Sequence, residues 1–324
     1  MASYLVADIG GTNGRFGCVR NDGSFTQIEH WKVFANDEFA SLYELITEYR
    51  SSLPDETIEG GCLAIAGPVS SDAVQMTNRD WSFSIEDLRE RLGFVHLEII
   101  NDFTSLAYSL PHLPDADLLT VCPGRKIENA PRLILGPGTG LGAAALVIDQ
   151  AGNPVVVSTE AGHMSFAPGT DLEMQILMKI KKGNGHVAVE DLISGRGLPV
   201  LHQALAGLRG RVAESLSTKE IADRAMKESD EVCGEAVSVF CAMLSSFAGD
   251  LALCFGARGG VYLGGGLLPK INTYLLKADF AARFRSKGIM SKVLKEIPVF
   301  LVTSEAASLL GASFWYRKKY GLKG

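Results

Sequence analysis

The chain reads as a layered α/β fold built from two similar halves. Apolar strands alternate with helical periods along all 324 residues. One kind of glycine hairpin occurs twice, in DIGGTNGRFG and GPGTGLGAAA, where Gly10 and Gly138, and again Gly14 and Gly142, stand 128 residues apart. No low-complexity linker divides the halves. The length allows one large domain or two ordinary ones. With 47% hydrophobic and 21% charged residues, there is ample material for a soluble core.

The elements follow in order. SYLVADI is a strand, GGTNG a tight turn, RFGCVR a second strand and HWKVF a third. A helical period runs from Phe39 to Arg50, GGCLAIAG is a buried strand, and SIEDLRERLG a helix. Ser84 and Asp87 have the spacing of a capping box there, and Gly93 that of a C-cap. FVHLEII and TSLAYSL form a further strand and helix. A second cycle opens near Arg132: strand RLILG, turn PGTGLG, strand AAALVID, then VVVS. Later helices are LEMQILMKIKK, TKEIADRAM with Ser217 and Glu220 as capping box, and a long one around EAVSVFCAMLSSFAGDLALC. Strands GGVYLGGG and PVFLVT and a helix from Glu305 to about Lys318 complete the pattern.

Composition excludes several classes. A net charge of −6 gives no electrostatic reason for a nucleic-acid or anionic-membrane partner. MASYLVADIGG has no basic region and breaks its apolar run at Asp8, unlike a secretory signal, and GLKG is no targeting tripeptide. The apolar stretch Ala242 to Ala257 is interrupted by Asp250 and glycines, so no membrane span is expected. The six cysteines show no C-x-x-C and no histidine at ligand spacing. They read as reduced core residues of a cytoplasmic protein, with no structural zinc expected.

Glycine turns bring backbone N–H groups close to a phosphate without a Cβ in the way. A dinucleotide fingerprint must open a helix, yet Arg15 to Arg20 continues as a strand. A Walker loop needs G-K-[ST], which neither turn has. What remains is a pair of hairpins that wrap phosphate, with Thr12 and Thr139 offering hydroxyls. Asp8 caps a turn or, beside phosphates, holds Mg²⁺ through water. Gly264, Gly265 and Gly266 form a strand-to-helix turn or let the chain pass close to a nucleoside.

Asn101 and Asp102 interrupt the join between FVHLEII and TSLAYSL. They either cap the helix or serve chemistry at the carboxyl end of a strand, where ligands gather in α/β sheets. A carboxylate there can accept a hydroxyl proton as that hydroxyl attacks a γ-phosphate. Glu160 and His163 share a glycine-containing turn, and Glu190 opens a short helix. Acids and amides without nearby basic partners suit a neutral polyhydroxylated ligand.

DIGGTNGR, IAGP, MTNRDW, LEIINDF, GPGTGLG, EAGHMSFAP, GHVAVEDLISGRGL and YLGGG resemble, in order and over essentially the whole chain, the motifs of the bacterial glucokinases of proteobacterial type. The resemblance implies an actin-like ATPase fold, ribonuclease H-like and duplicated, with two lobes and a cleft that closes on sugar. It implies transfer of the γ-phosphoryl of MgATP to the 6-hydroxyl of D-glucose, the entry step of glycolysis, by a cytoplasmic homodimer. It makes Asp102 the catalytic base, and Asn101, Asp102, Glu160, His163 and Glu190 the glucose ligands. Ala7, Asp8, Ile9, Gly10, Gly11 and Thr12 become one phosphate hairpin, Gly138, Thr139 and Gly140 the other, and Gly265 adjoins the nucleotide. The small lobe is expected at residues 1–112 plus 303–324 and the large lobe at 113–302. The family often has His where Arg79 stands and Pro where Arg196 stands, both beside the inferred site. A sugar sensor or a glucose-independent ATPase on the same fold are the rival readings. Mannose, glucosamine or fructose as acceptor, and ADP or polyphosphate as donor, stay open.

Overall fold

The computed structural model describes residues 2–21, 24–53, 57–67, 69, 71–76, 79–181, 183 and 185–322. Pro68 of the IAGP motif and Thr77 and Asn78 of MTNRDW lie outside these residues. The chain opens with β1 (Ala2–Ile9), β2 (Asn13–Arg20), β3 (Glu29–Ala35), α1 (Leu42–Ser51), β4 (Thr57–Ile65), β5 (Ala73–Gln75), β6 (Ser82–Ser84), α2 (Ile85–Leu92), β7 (His96–Asn101) and α3 (Asp102–Ser109). Next come β8 (Leu118–Cys122), β9 (Arg132–Pro137), β10 (Leu141–Ile148), β11 (Pro154–Thr159), α4 (Asp171–Ile180), α5 (Gly197–Leu208), α6 (Thr218–Met226) and α7 (Glu231–Phe255). Then β12 (Val261–Leu263), α8 (Asn272–Leu275), α9 (Ala278–Arg285), α10 (Ser291–Glu296), β13 (Val299–Val302) and α11 (Ala307–Tyr320) complete it. Two compact units result, one of Met1–Pro114 with Ser304–Gly324 and one of Asp115–Thr303.

The first unit is a five-stranded sheet in the order β3-β2-β1-β4-β7. β1, β4 and β7 run parallel, while β2 and β3 form an antiparallel meander on β1. One face packs Leu5, Phe16 and Leu63 against α1 and α2 residues such as Leu45, Tyr49 and Leu88. The other packs Tyr4, Val6 and Ala64 against Leu309, Ala312 and Tyr316 of α11. α11 also lies against α3 so closely that a Cβ at Gly311 would sit 1.7 Å from the Ser105 carbonyl oxygen. Only glycine permits that approach.

The second unit has a six-stranded sheet, β11-β10-β9-β12-β13-β8. Its first five strands repeat the order and directions of the first sheet, with β9, β12 and β13 parallel and β10 and β11 the meander. β1 ends at Ile9 and β9 at Pro137, while β2 begins at Asn13 and β10 at Leu141, so each pair is again 128 residues apart. α7 is long and apolar enough to cross a membrane, yet 61% of its most apolar window is buried in this unit. It packs against α5, α6 and α9.

Helix ends follow local chemistry. Ser217 and Glu220 form the reciprocal capping box expected of α6. At α2 the expected box is only half made: the Ser84 hydroxyl accepts from Asp87 N, but among the described residues no return bond runs from Asp87. Aspartate is one methylene too short for the reach that glutamate makes. α1 starts at Leu42 behind the Ser41 cap, three residues after the apolar period begins, and α11 starts at Ala307 instead of Glu305. The hairpin β5–β6 and strand β8 had no periodic signature.

Candidate active site

In the first unit, the turn between β1 and β2 is pinned from three sides. Gly10 N donates to Asn13 O at 3.0 Å, and Asn36 N donates to Thr12 O at 2.9 Å. The buried Asn36 amide donates to Gly10 O at 2.8 Å. Arg79 lies over the Trp81 ring and donates its Nε to Gly11 O at 3.1 Å and Nη1 to Asn36 O at 2.9 Å. It also pairs with Asp37. The amides of Gly11 and Thr12 have no acceptor among the described residues. A hairpin whose carbonyls are held and whose N–H groups are open is a ready anion cradle.

Asp8, near the end of β1, lies opposite Arg15 in the hairpin register and pairs with it at 3.3 Å. Burial nonetheless raises its carboxyl above the usual range. Asp102 is the first residue of α3, and Asn101, the last of β7, is that helix's N-cap. Asn101 Oδ1 accepts from Phe103 N at 2.9 Å and Thr104 N at 3.1 Å. Its Nδ2 donates to Gly67 O at 3.2 Å and to Asp102 Oδ1 at 2.9 Å. Phe103 N also donates to Asp102 Oδ1, at 3.0 Å. The capping and chemical readings of this pair therefore divide between its members. Asn101 is engaged in the cap and in holding one oxygen of Asp102, which leaves Oδ2 for a ligand. Burial, then the negative charge of Asp8, pushes the Asp102 carboxyl up to about 7.

In the second unit, the turn between β9 and β10 is held by Gly138 N on Gly140 O and by Gly195 N on Gly138 O, both at 2.8 Å. Here too the amides of Thr139 and Gly140 have no acceptor among the described residues. Glu190, on the one-turn helix Val189–Asp191, lies directly against this hairpin. Its Oε2 accepts from Leu141 N at 3.1 Å, and a Cβ on Gly140 would meet that oxygen at 2.5 Å. Its Oε1 faces Arg196 Nη2 at 3.2 Å and His163 Nδ1 at 3.9 Å. Arg196 also donates Nε to Thr139 O at 3.2 Å. The expectation of acids without basic partners thus fails at Glu190, because Arg196 reaches it from across a turn.

Glu160 is exposed and leads into the turn Ala161–His163. That turn rests on β10, where a Cβ at Gly162 would stand 2.2 Å from Leu141 O. His163 is largely exposed, at 64% of its side chain. In the GGG run, the close approach that glycine permits is to β9. Gly265 has φ +93°, and a Cβ there would lie 2.5 Å from Pro137 O. The structure therefore groups Asp8, Gly10 to Thr12, Asn101 and Asp102 in one unit, and Gly138 to Gly140, Glu160, His163, Glu190 and Gly265 in the other. Asn36, Arg15, Arg79 and Arg196 complete these groups. Arg79 and Arg196 were visible only as departures from the resembled motifs beside the site, Arg15 only by its position opposite Asp8 across a two-strand hairpin, and Asn36 not at all.

A family model described as Glucokinase matches residues 5–319. A curated relative from Nitrobacter hamburgensis, named glucokinase, is 41% identical over 311 residues, covering 96% of this chain and 96% of its own. The chain belongs to the glucokinase family. It is also similar to a crystal structure of glucokinase from an Antarctic psychrotroph, 38% identical over 98% of this chain and 99% of that one, with TM-score 0.86. A ROK family glucokinase from Streptomyces griseus, in complex with glucose and AMPPNP, aligns over 98% and 99% of the two chains with TM-score 0.64. At 18% identity it shows likeness of fold alone. Arg79 and Arg196, where the resemblance leads one to expect His and Pro, each grip a glycine hairpin, Arg79 at Gly11 and Arg196 at Thr139.

Proposed function

We propose that the protein is an ATP-dependent glucokinase that converts D-glucose to glucose 6-phosphate, with Asp102 as general base. The observation that carries this reading is a carboxyl raised to about 7 at the start of α3, just past the end of β7 and in the same unit as a glycine hairpin with open amides. A base is most effective when its pKa lies near the working pH. Asp102 Oδ2 takes the proton of the sugar 6-hydroxyl, and the freed oxygen attacks the γ-phosphorus. The bond to the β,γ-bridging oxygen breaks and ADP leaves. Open N–H groups of Gly11, Thr12, Thr139 and Gly140 are assigned to phosphate oxygens, with Ala7 and Ile9 supplying the strand end and Gly265 adjoining the nucleoside. Asn101 fixes Asp102, and Glu160, His163 and Glu190 are assigned to sugar hydroxyls. At Glu190 a hydroxyl competes with Arg196 for Oε1, since Oε2 is held by Leu141 N.

Asp8, one residue before the end of β1 and in the same unit as the open amides of Gly11 and Thr12, is the carboxylate we assign to a hard divalent cation held through water. Mg²⁺ bound there would neutralise charge on the transferring phosphoryl group. The matched order of the two sheets supports an actin-like, duplicated reading of the fold, with the two compact units as its lobes. A cytoplasmic homodimer is the assembly we assign to it. The test is MgATP-dependent ADP release by the purified protein with and without D-glucose. Strong glucose-dependent release supports the kinase, and release indifferent to glucose would replace it with an ATPase.

A further inference from the structure

We propose that His202, Asp230 and Cys233 form a site for a divalent cation of the zinc class, separate from the residues assigned above to sugar and nucleotide. The three side chains each offer one ligand atom, and these atoms lie within 4.8 Å of one another. They come from different places. His202 lies on α5, Asp230 is the N-cap of α7, and Cys233 is in the first turn of α7. Nitrogen, carboxylate oxygen and sulfur together match the donors that zinc takes, whereas Mg²⁺ and Ca²⁺ would find too few oxygens.

A helix cap beside a cysteine would mean little alone. The independent observation is His202, only 3% exposed, whose Nδ1 has no hydrogen-bond partner among the described residues. A buried imidazole nitrogen left unpaired is unfavourable and calls for a ligand. His202, Glu214 and Asp230 line a cavity of about 170 Å³ together with Arg211 and Val212, both exposed, which opens it to solvent. Asp230 can ligate without uncapping α7. Its Oδ1 accepts from Val232 N at 2.9 Å and Cys233 N at 3.1 Å. Its Oδ2 pairs loosely with Arg224, at 3.6 Å, and the carboxylate also accepts from the Cys233 thiol, a bond that metal binding replaces. Arg224 opposes a cation, but it is also paired with Glu214 at 2.9 Å and keeps that partner when Oδ2 turns to a metal. On binding, the Cys233 S–H bond breaks, its proton passes to solvent, and the thiolate bonds the metal. A water fills the fourth position. The bound ion would tie α5, which starts just after Arg196, to the first turn of α7.

Co²⁺ is the probe, because a Co²⁺–thiolate bond gives a charge-transfer absorption band. Titration of the chelator-treated full chain should give this band at one equivalent, and Zn²⁺ should displace it. The band should vanish in Cys233→Ser, weaken at least tenfold in apparent affinity in His202→Gln, and survive in Cys254→Ser, which removes the exposed thiol. Far-UV circular dichroism and glucose phosphorylation check that the variants fold. Should Cys233→Ser fail to fold, the histidine variant and a Zn²⁺-induced rise in wild-type Tm carry the test. No thiolate band in wild type, a band that persists in a folded Cys233→Ser, one unaffected by His202→Gln, or one lost in Cys254→Ser would each overturn the proposal.

Discussion

Asp102→Asn is expected to stabilise the protein at alkaline pH. The Asp102 carboxyl stands at about 7 in the folded chain against an ordinary 3.8, first because it is buried and then because Asp8 is negative. The folded value is the higher one, so the folded state holds this proton more tightly than the unfolded state does. The favourable contribution is complete below about pH 4 and is lost as the pH rises to about 7. At 1.36 kcal/mol per pH unit the loss amounts to roughly 4 kcal/mol, a ceiling that solvent access to a partly exposed group reduces. Asparagine has the same shape and cannot ionise. Its Oδ1 can still accept from Phe103 N and Asn101 Nδ2, now at 3.0 and 2.9 Å. Thermal unfolding of both proteins between about pH 4 and 8 measures the effect. The variant's advantage in Tm should be near zero at the acid end and grow with pH, by about 2–4 °C for each kcal/mol. An advantage that does not change with pH, or a variant less stable than wild type at pH 8, would refute the burial argument.

The same titration should appear in kinetics. With D-glucose varied, kcat/KM should fall about tenfold per pH unit below about 7, and Asp8→Asn should move that limb to lower pH. An unmoved limb would mean that Asp8 does not act on Asp102. Gly140→Ala places a Cβ 2.5 Å from Glu190 Oε2 and should raise the KM for glucose on the order of tenfold, in a chain whose circular dichroism is unchanged. Arg79→His removes the Nε bond to Gly11 O and should raise the KM for ATP on the order of tenfold with little change for glucose, as initial rates over both substrates would show.

The two hairpins were legible because glycine spacing and flanking strands are local features, and β1–β2 and β9–β10 reproduce them. Asp102 was legible for a similar reason, as an acid where an apolar strand meets a helix. Its neighbour was harder to read. Both readings of Asn101 required the same residue type, and only the bonds to Phe103 N, Thr104 N and Asp102 show that its amide is committed to the cap. Asn36, Arg79 and Arg196 escaped assignment because each acts on a hairpin carbonyl distant in sequence, and backbone carbonyls leave no trace in residue identity. His202 and Cys233, 31 residues apart, failed the spacing rule for metal ligands because packing of α5 on α7 brings them together. Short strands such as β5 and β6, three residues each, hold too few positions for alternation to register.

The central claim is that Asp102 removes a proton from the sugar while the phosphoryl group moves. The most direct measurement pairs the kcat of Asp102→Asn with its glucose affinity, the first from coupled ADP release and the second from calorimetry. General-base catalysis predicts a fall in kcat of about 10²–10⁴-fold with glucose affinity changed only a few-fold. Equal losses in turnover and affinity would contradict it and leave Asp102 as a sugar ligand alone.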